Sequence, residues 1–470
     1  MATSGNRFID PALEAVSDWV TRVGLARWLD QRRIRYLVRI LPLRSLPLWI
    51  AAMLTGMVAV GYEKVFHASE DFGQQLIREH PFWVFIISPV AFTIALWLVE
   101  RFAPAASGSG IPQLMAAVEV PTEQRHLVHR LLSLRIALVK IVSSLAMLLG
   151  GAVIGREGPT LQIAGSIFQW VYTKLPAFWP HISQRVMLIT GGAAGLAAAF
   201  NTPLGGIVFA VEELTRTHIT HFRTSVLAAV IIAGLSSQTL LGPYLFLGFP
   251  RIGEPGLRHL GWVILFSSTA GLLGALVVRV LKRIAAWKRR EGTGNRKYIG
   301  AILLGLTFAG LVFVYGADAA GTGKPLINRL LFDPDAGMDW HILPVRMIGM
   351  IISYSVGAAG GVFATSLSTG AALGEVLMQL FTLEAYSRNL LILSCMIGFL
   401  TGVTRSPFTA AILVLEMTDR HSAIFYFLLA AIAASSTARL IDRESFYETG
   451  KKSILLSLGI TPQPKPAIED

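Results

Sequence analysis

A carboxylate and a guanidinium lie side by side in a glycine-rich break between two apolar stretches. From Gly150 to Thr160 the chain reads Gly-Gly-Ala-Val-Ile-Gly-Arg-Glu-Gly-Pro-Thr, with the carboxylate at Glu157. Charge and irregular backbone are both costly inside a bilayer, so Glu157 is a candidate functional residue. Pro159 fits the first turn of a new helix, whose positive N-terminal end attracts anions. The break therefore predicts an anion site that includes a titratable carboxylate.

Two other glycine-containing breaks have the same character. Gly108 to Pro112 reads Gly-Ser-Gly-Ile-Pro, and Gly360 to Thr365 reads Gly-Gly-Val-Phe-Ala-Thr. Each precedes an apolar segment, so each predicts a further helix N-terminus. Converging helix N-termini inside a membrane bind an anion without a full positive charge, which permits both binding and fast release. The three breaks together predict one shared anion site.

The composition is that of a polytopic membrane protein. Of 470 residues, 53% are hydrophobic and only 15% are charged, whereas a soluble chain of this length carries more charge. The 44 glycines and 22 prolines indicate short or interrupted helices, which are typical of channels and transporters. The net charge of +12 fits basic cytosolic loops, and no basic stripe with interleaved aromatic residues predicts a nucleic-acid partner.

Several classes of function are not expected. The single cysteine, Cys395, excludes an intrachain disulfide and has the surroundings of a buried, inert thiol. An intramembrane hydrolase would need a paired aspartate, a Ser-His arrangement or a zinc motif such as His-Glu-x-x-His within the spans, and none is visible. We therefore predict no enzymatic activity, no metal site and no cofactor. The histidines lie mostly at loop edges, for example His126, His129, His218 and His221.

Hydropathy patterning predicts an all-α integral membrane protein. An interfacial helix is expected over Pro11 to Arg39, a short helix over Ile111 to Val120 and a long one over His126 to Leu149. Gly316 to Lys324 contains glycines like those of a phosphate loop without its spacing, and predicts a connecting loop. The predicted membrane spans are Ser45 to Val65, Phe82 to Val99, Thr224 to Leu241, Leu260 to Val280, Ile299 to Tyr315 and Ala423 to Ala438.

Basic segments set the predicted orientation. Arg216 to Arg223 and the cluster from Arg279 to Lys297 mark the cytosolic face by the positive-inside bias. The first residues lack the pattern of a signal peptide, so both termini are expected in the cytosol. The predicted divisions are an N-terminal cytosolic or interfacial helix (1–44), a first membrane repeat (45–241), a second membrane repeat (242–442) and a C-terminal cytosolic helix and tail (443–470).

The two halves share one pattern. Pro203 and Glu212 have the same spacing as Pro407 and Glu416, and the second pair follows the first at an offset of 204 residues. An internal repeat with broken helices in corresponding positions indicates a transporter whose site lies between the halves. A chance match of two short segments is the alternative.

The three breaks, taken together, resemble the signature motifs of the CLC family of chloride channels and chloride/proton antiporters. Gly108 to Pro112, Gly155 to Pro159 and Gly360 to Ala364 occur in the family's order, and the resemblance extends from about Ser45 to Leu458. It implies a CLC-type fold of many tilted and broken helices in two inverted repeats. It also implies a homodimer with one pathway per subunit, surrounded by lipid in a bacterial inner membrane.

The resemblance implies a secondary active transporter that exchanges chloride for protons. A passive voltage- or pH-gated chloride channel of the same fold is the alternative. Ser109 favours chloride, because nitrate-preferring relatives often carry proline there, and its alternative role is a plain helix N-cap. The chain ends soon after Tyr447, so cytosolic nucleotide-binding domains are not expected. Chloride and protons are the expected ligands, and no cofactor is implied.

Each motif residue acquires a role from the resemblance. The Ser109 hydroxyl and the Tyr447 phenol would contact the central anion, which the backbone N–H groups of Val362 and Phe363 would also face. Glu157 would be the gating glutamate, whose carboxylate competes with anions and swings aside when protonated. An ionised carboxylate at a helix N-terminus is an anion mimic on physical grounds as well. The remaining members of the predicted anion-binding set are Gly110, Ile111, Arg156 and Gly158.

Three further residues complete the predicted site. Glu213 resembles the family's inner proton-handling glutamate, with Glu212 beside it, and a titratable side chain there is typical of exchangers. A solvated helix end facing Arg216 is the alternative. Lys140 resembles the family's buried basic residue that raises the potential around the anion path, and a snorkelling interfacial lysine is its alternative. One departure from the family's motifs is Thr365, where many relatives have proline.

Overall fold

The chain is built almost entirely from helices. The computed structural model describes residues 41–215, 224–242, 245–253, 256–290, 294–333, 337–383 and 388–462. Within these ranges the chain forms 17 α-helices and no strand apart from two isolated β-bridges, which confirms the predicted all-α fold class. The interfacial helix predicted over Pro11 to Arg39 and the basic segment from Arg216 to Arg223 lie outside the described residues.

The first half contains helices of very unequal length. In chain order they are α1 (Leu41–Glu79), α2 (Val84–Phe102), α3 (Ile111–Glu119), α4 (Leu134–Leu149), α5 (Glu157–Thr173), α6 (Gln184–Phe200), α7 (Pro203–Phe209) and α8 (Thr224–Leu241). A π-helical turn, Ala210–Thr215, follows α7 directly. The short helices α3 and α7 begin with proline at the first or second position, where no backbone N–H is needed.

The second half also contains helices of very unequal length. Its helices are α9 (Leu260–Arg290), α10 (Arg296–Tyr315), α11 (Lys324–Phe332), α12 (Ile342–Ser355), α13 (Phe363–Phe381), α14 (Arg388–Thr404), α15 (Pro407–Thr418), α16 (Ile424–Ile441) and α17 (Phe446–Ser457). Short 3₁₀ segments, such as Pro104–Ala106 and Ala317–Ala319, join several of them.

Seven helical stretches in the described part of the chain are long and apolar enough to cross a membrane. The protein is therefore an integral multi-pass membrane protein. The predicted span Thr224 to Leu241 coincides with α8, whereas α1 and α9 run well beyond the predicted spans. These stretches are Ser45–Glu79, Pro81–Phe102, Thr122–Leu149, Thr224–Leu241, Leu257–Lys288, Arg296–Tyr315 and His421–Ile441.

The structure differs from the prediction at two helices. The helix predicted over His126 to Leu149 is interrupted, because a 3₁₀ segment ends at Arg130 and α4 begins only at Leu134. Ser133 causes the restart: its backbone is extended, and its hydroxyl accepts a hydrogen bond from the Ile136 N–H at 3.4 Å. Helix α11 was not predicted, because its nine residues are too few to give a membrane-span signal.

The two halves cap each other's helices. Both carboxylate oxygens of Glu416, on α15, accept hydrogen bonds from the first N–H groups of α7, at Leu204 (3.0 Å) and Gly205 (2.7 Å). In return, Glu212 accepts from the first N–H groups of α15, at Phe408 (3.2 Å) and Thr409 (2.8 Å). A carboxylate at a helix N-terminus satisfies donors that have no partner within the helix. These reciprocal contacts join the two segments that the 204-residue offset relates.

Candidate anion site

Backbone hydrogen bonds bring the three glycine-rich breaks together. The Gly108 N–H donates to the Ala358 carbonyl at 2.9 Å, and the Gly360 N–H donates to the Gly108 carbonyl at 3.1 Å. Gly155 and Gly361 exchange a pair of such bonds, each of 2.8 Å. As a result the starts of α3, α5 and α13 meet at one place, as the motifs predict.

The start of α5 packs directly on the loop that contains Ser109. A Cβ atom at Gly158 would lie 2.2 Å from the Ser109 hydroxyl oxygen and 2.7 Å from its carbonyl oxygen, so only glycine fits there. Gly110 has a φ of 99°, in the left-handed region, and precedes the fully buried Ile111 at the start of α3. These three residues shape the backbone around Ser109, and direct anion contact by Gly110, Ile111 and Gly158 stays a prediction.

Glu157 is the first residue of α5, and its side chain is only 1% exposed. One of its carboxylate oxygens lies 3.4 Å from the Ala364 N–H, in the first turn of α13. A Cβ atom at Gly155 would lie 2.3 Å from that oxygen, so the glycine makes room for the carboxylate. The carboxylate thus occupies the place at a helix N-terminus where an anion is stabilised.

Sequence reasoning named the N–H groups of Val362 and Phe363 but missed that of Ala364. Val362 is the residue before α13, and Phe363 and Ala364 are the first two residues of the helix. The first N–H groups of a helix have no partner within it, which is the signal that would have included Ala364. The Thr365 hydroxyl, at the position of the family's proline, donates to the Val362 carbonyl at 3.1 Å.

Two buried hydroxyls lie beside these helix starts. Ser109 is 1% exposed and Tyr447 is fully buried, and neither hydroxyl has a hydrogen-bond partner among the described residues. The Tyr447 ring stacks on Phe363, with centroids 6.3 Å apart and planes 9° apart. Because buried polar groups are nearly always hydrogen-bonded in proteins, these two hydroxyls are available to a bound ligand.

Helix α17, which carries Tyr447, is joined to α3 by an ion pair. The Lys451 ammonium lies 2.6 Å from the Glu119 carboxylate at the end of α3, and the Glu119 side chain is 32% exposed. Within α17 the same ammonium lies 3.0 Å from the buried Glu448 carboxylate. The pair with Glu119 connects the helix of Tyr447 to the short helix that follows Ser109.

Lys140 lies in α4 and is completely buried. Its ammonium donates to the carbonyl oxygens of Ala106 and Gly108, each at 2.7 Å, and to that of Ser107 at 3.4 Å. The carbonyl oxygens just before Ser109 therefore accept hydrogen bonds from the Lys140 ammonium. The contacts rule out the interfacial, snorkelling lysine and are consistent with electrostatic support of the anion path, which stays a prediction.

Arg156 has a positioning contact that was not foreseen. Its guanidinium lies 2.6 Å from the Glu63 carboxylate on α1 and donates to the Ala199 carbonyl at 3.1 Å. All the charge of this pair is buried, since Arg156 is 3% and Glu63 5% exposed. Glu63 could have been noticed as a carboxylate inside an apolar stretch. Direct anion contact by Arg156 stays a prediction.

Glu213 lies in the π-helical turn and is 4% exposed. It accepts a hydrogen bond of 2.5 Å from the Ser406 hydroxyl, just before α15. The alternative of a solvated helix end is therefore wrong for Glu213. Its neighbour Glu212 is half-buried and caps α15, including a 2.7 Å bond from the Thr409 hydroxyl, so its predicted share in proton transfer has no contact to support it and stays a prediction.

Tyr447 is near enough to both predicted proton carriers, Glu157 and Glu213, to interact with each electrostatically.

The described histidines at loop edges, His126 and His129, are in a separate segment from the site residues. His126 and His129 are exposed in the 3₁₀ segment that precedes α4, and His218 and His221 lie outside the described residues. Across the ranges that the structure describes, no group of three histidine, cysteine, aspartate or glutamate side chains could hold a metal ion. Cys395 is a buried free cysteine.

Known proteins are similar to this chain over most of its length. Residues 90–439 match the family model described as voltage gated chloride channel. The chain is 29% identical to the H(+)/Cl(−) exchange transporter ClcA of Salmonella arizonae over 448 residues, which is 89% of this chain and 91% of the relative. It is also 29% identical to the ClcA of Salmonella paratyphi B over 424 residues, covering 85% of this chain and 86% of the relative.

Solved structures share the fold. A slow cyanobacterial Cl⁻/H⁺ antiporter aligns with a TM-score of 0.76 and 24% identity, over 89% of this chain and 99% of that one. A CLC-type fluoride/proton antiporter aligns with a TM-score of 0.70 and 20% identity, over 86% and 97% of the two chains. These likenesses establish the arrangement of the helices.

Proposed function

The chain belongs to the voltage-gated chloride channel family, and we propose that it is a secondary active transporter that exchanges chloride for protons across a membrane. The observation that carries the proposal is the Glu157 carboxylate, which is buried at the start of α13 beside two hydroxyls available to an anion. A group that occupies an anion position and also titrates couples the movement of the two ions. The names of relatives, H(+)/Cl(−) exchange transporters, support the same function.

The proposed gate works through charge. When ionised, the Glu157 carboxylate is attracted by the N-terminal end of α13 and by the Ala364 N–H. When protonated, it loses that attraction and swings aside, and chloride takes its place. The chloride ion would be bound by the Ser109 hydroxyl, the Tyr447 phenol and the backbone N–H of Phe363. Since chloride and Glu157 exclude each other, each change of protonation is tied to a change of anion occupancy.

The inner proton carrier is proposed to be Glu213, on the cytosolic side. Lys282, in the basic end of α9, donates to the Asp442 carboxylate at 2.9 Å, and Arg405 donates to the Asp442 carbonyl at 3.0 Å. Arg405 directly precedes Ser406, the partner of Glu213. Since basic segments mark the cytosolic face, Glu213 lies towards the cytosol.

Lys282, in the same basic end of α9, helps to lower the pKa of Asp442. Burial raises the pKa of the Asp442 carboxyl, but the hydrogen bond from Lys282, the Glu444 N–H and the nearby positive charge of Arg405 outweigh it and hold the pKa below its usual range. The carboxylate is therefore ionised at neutral pH. It fixes the junction between α16 and α17, from which the Tyr447 phenol projects into the site.

A vesicle experiment tests the proposed exchange. The purified protein is reconstituted into lipid vesicles loaded with high chloride and placed in low chloride, at equal pH on both sides. We expect chloride efflux to drive protons into the vesicles and to acidify their interior below the external pH, recorded by a pH-sensitive dye. The reversal potential under combined chloride and pH gradients gives the coupling. Chloride flux without proton movement would instead identify a passive channel of the same fold.

We also propose a homodimer in a bacterial inner membrane with both termini in the cytosol. The resemblance to the CLC family and the basic cytosolic segments support this arrangement. Large apolar side chains on α7, α15 and α16 are exposed on the single subunit, among them Leu204, Phe408 and Phe425. Light scattering of the detergent-purified protein tests it, because a protein mass of one chain would contradict the dimer.

A further inference from the structure

A cavity opens beside the anion site on the side of the basic end of α9. Its volume is about 470 Å³, and its lining includes Ser107, Gly108, Arg130, Lys282, Tyr354 and Phe446. Lys282 lies near the cytosolic end of α9, so the cavity faces the cytosol in the proposed orientation. Lys282 in this lining is paired with Asp442, whereas the exposed Arg130 adds a positive charge that favours the entry of an anion. The cavity is therefore a suitable inner approach to the loop that carries Ser109.

Tyr354, in the last turns of α12, lies between this cavity and Ser109. Its phenol oxygen accepts a hydrogen bond from the Ser109 backbone N–H at 3.4 Å. A Cβ atom at Gly108 would lie 2.6 Å from the same oxygen, so the phenol is pressed closely onto the loop. The ring packs edge-on against Phe446, with centroids 4.9 Å apart, which fixes its direction.

We propose that Tyr354 is an inner anion-binding and selectivity residue of the transport path, and this inference rests on the proposed function. In the bond with Ser109 the phenol oxygen is the acceptor, so its O–H is free to donate to an anion in the cavity. An anion that moves on displaces the phenol oxygen and takes the Ser109 N–H as its donor. The ligand class is a small monovalent anion that accepts strong hydrogen bonds, such as chloride.

The position of the second phenol supports this assignment. The rings of Tyr354 and Tyr447 both contact Phe446, with centroid distances of 4.9 and 5.7 Å, so the two tyrosines are neighbours. Tyr354 lines the cavity, whereas the Tyr447 hydroxyl is buried and has no hydrogen-bond partner among the described residues. An anion that enters from the cytosol meets the hydroxyl of Tyr354 before that of Tyr447. A phenylalanine at position 354 would pack against Phe446 equally well. The ring contact therefore does not account for the Tyr354 hydroxyl.

The test is the substitution Tyr354→Phe, which removes the hydroxyl and keeps the ring. We expect chloride binding by the purified protein, measured by isothermal titration calorimetry, to weaken roughly tenfold, as for the loss of one hydrogen bond to a charged group. We also expect the preference for chloride over thiocyanate in vesicle flux to fall, because thiocyanate accepts weaker hydrogen bonds. Tyr298→Phe is the matched control, since Tyr298 lies at the cytosolic start of α10, away from the cavity.

The outcomes separate this inference from the proposed exchange. Unchanged chloride affinity and unchanged anion preference in Tyr354→Phe would overturn the role of Tyr354, whatever the proton coupling of the wild type. Weakened binding in a protein whose wild type moves no protons would keep Tyr354 as an anion-binding residue and overturn the exchange alone. Tyr354→Ala gives a second measurement: we expect it to open the cavity to Ser109 and to raise the passive chloride flux, and an unchanged flux would count against the phenol as a barrier.

Discussion

Two buried glutamates in this protein have opposite surroundings. Glu157 begins helix α5, and its carboxylate lies 3.4 Å from a backbone N–H at the start of α13. Glu213 lies in a π-helical turn, and its carboxylate accepts a 2.5 Å bond from the Ser406 hydroxyl. The two groups are chemically identical, so any difference in their roles comes from these surroundings.

The difference assigns each glutamate a separate task. A helix N-terminus favours any negative charge, so in the proposed mechanism Glu157 competes directly with chloride for its position. A hydroxyl both donates and accepts, so Ser406 can partner Glu213 in either protonation state. Glu157 is thereby suited to link protons to anions, and Glu213 to pass protons without an anion.

Glu157→Gln is expected to have the largest effect. The amide keeps the size of the carboxylate but neither titrates nor carries charge, so it cannot exchange its place with chloride in step with a proton. We expect proton transport to fall roughly 100-fold or more, as for the loss of an essential proton-transfer group. Chloride flux should persist and lose its pH dependence, in vesicles that report both ions.

The control for this variant is Glu79→Gln, at the exposed end of α1, which should transport both ions like the wild type. If Glu157→Gln still drove protons uphill from a chloride gradient, the gate would have to lie elsewhere. The contrast between the two glutamates would then lose its basis.

Glu213→Gln is expected to stop proton movement while chloride still passes. The amide oxygen can keep the bond from Ser406, so the π-helical turn should be preserved and only titration is lost. Proton and chloride fluxes in vesicles measure the split. Glu416→Gln is the matched control, since it also replaces a carboxylate at the junction of the halves, one that accepts hydrogen bonds from backbone N–H groups of α7. Unchanged proton transport in Glu213→Gln would show that the inner proton path lies elsewhere.

Much of the anion site was predictable because its parts are local motifs. Each glycine-rich break predicts a helix start from a few consecutive residues, and the structure has Ser109 and Glu157 at such starts. The contacts between the breaks are not visible in any one stretch of the sequence. The bonds between Gly155 and Gly361, and between Gly108 and Gly360, join residues more than 200 positions apart.

The inner side shows the opposite case. The spacing of Glu212 and Glu416 predicted a repeat but not its consequence, that each carboxylate caps the other half's helix. Reciprocal capping depends on how two segments dock, and docking is a tertiary property. The partner of Arg156 was missed for the same reason, because Glu63 belongs to a helix remote in sequence.

Ser406→Ala should slow proton transport through Glu213 without abolishing exchange. The Ser406 hydroxyl donates a hydrogen bond of 2.5 Å to the Glu213 carboxyl group. Its loss leaves Glu213 without this neutral partner, and we expect proton transport to slow roughly threefold to tenfold at neutral pH, from the strength of such bonds. Chloride binding should stay as in the wild type. Initial proton uptake rates in vesicles measure the effect, and wild-type rates would mean that Ser406 has no part in proton transfer.

Glu212→Gln and Glu416→Gln should have the smallest effect on transport and act on stability instead. Each replaces a carboxylate that caps a helix of the other half, so we expect each to lower stability by about 1 kcal/mol, and the two losses to be similar. Thermal unfolding of the purified protein compares them, with proton coupling measured in parallel. A variant Glu212→Gln that loses proton coupling while Glu416→Gln keeps it would assign Glu212 to the proton path beside Glu213. Equal stability losses with coupling intact in both would leave Glu213 as the proton carrier and Glu212 as a cap.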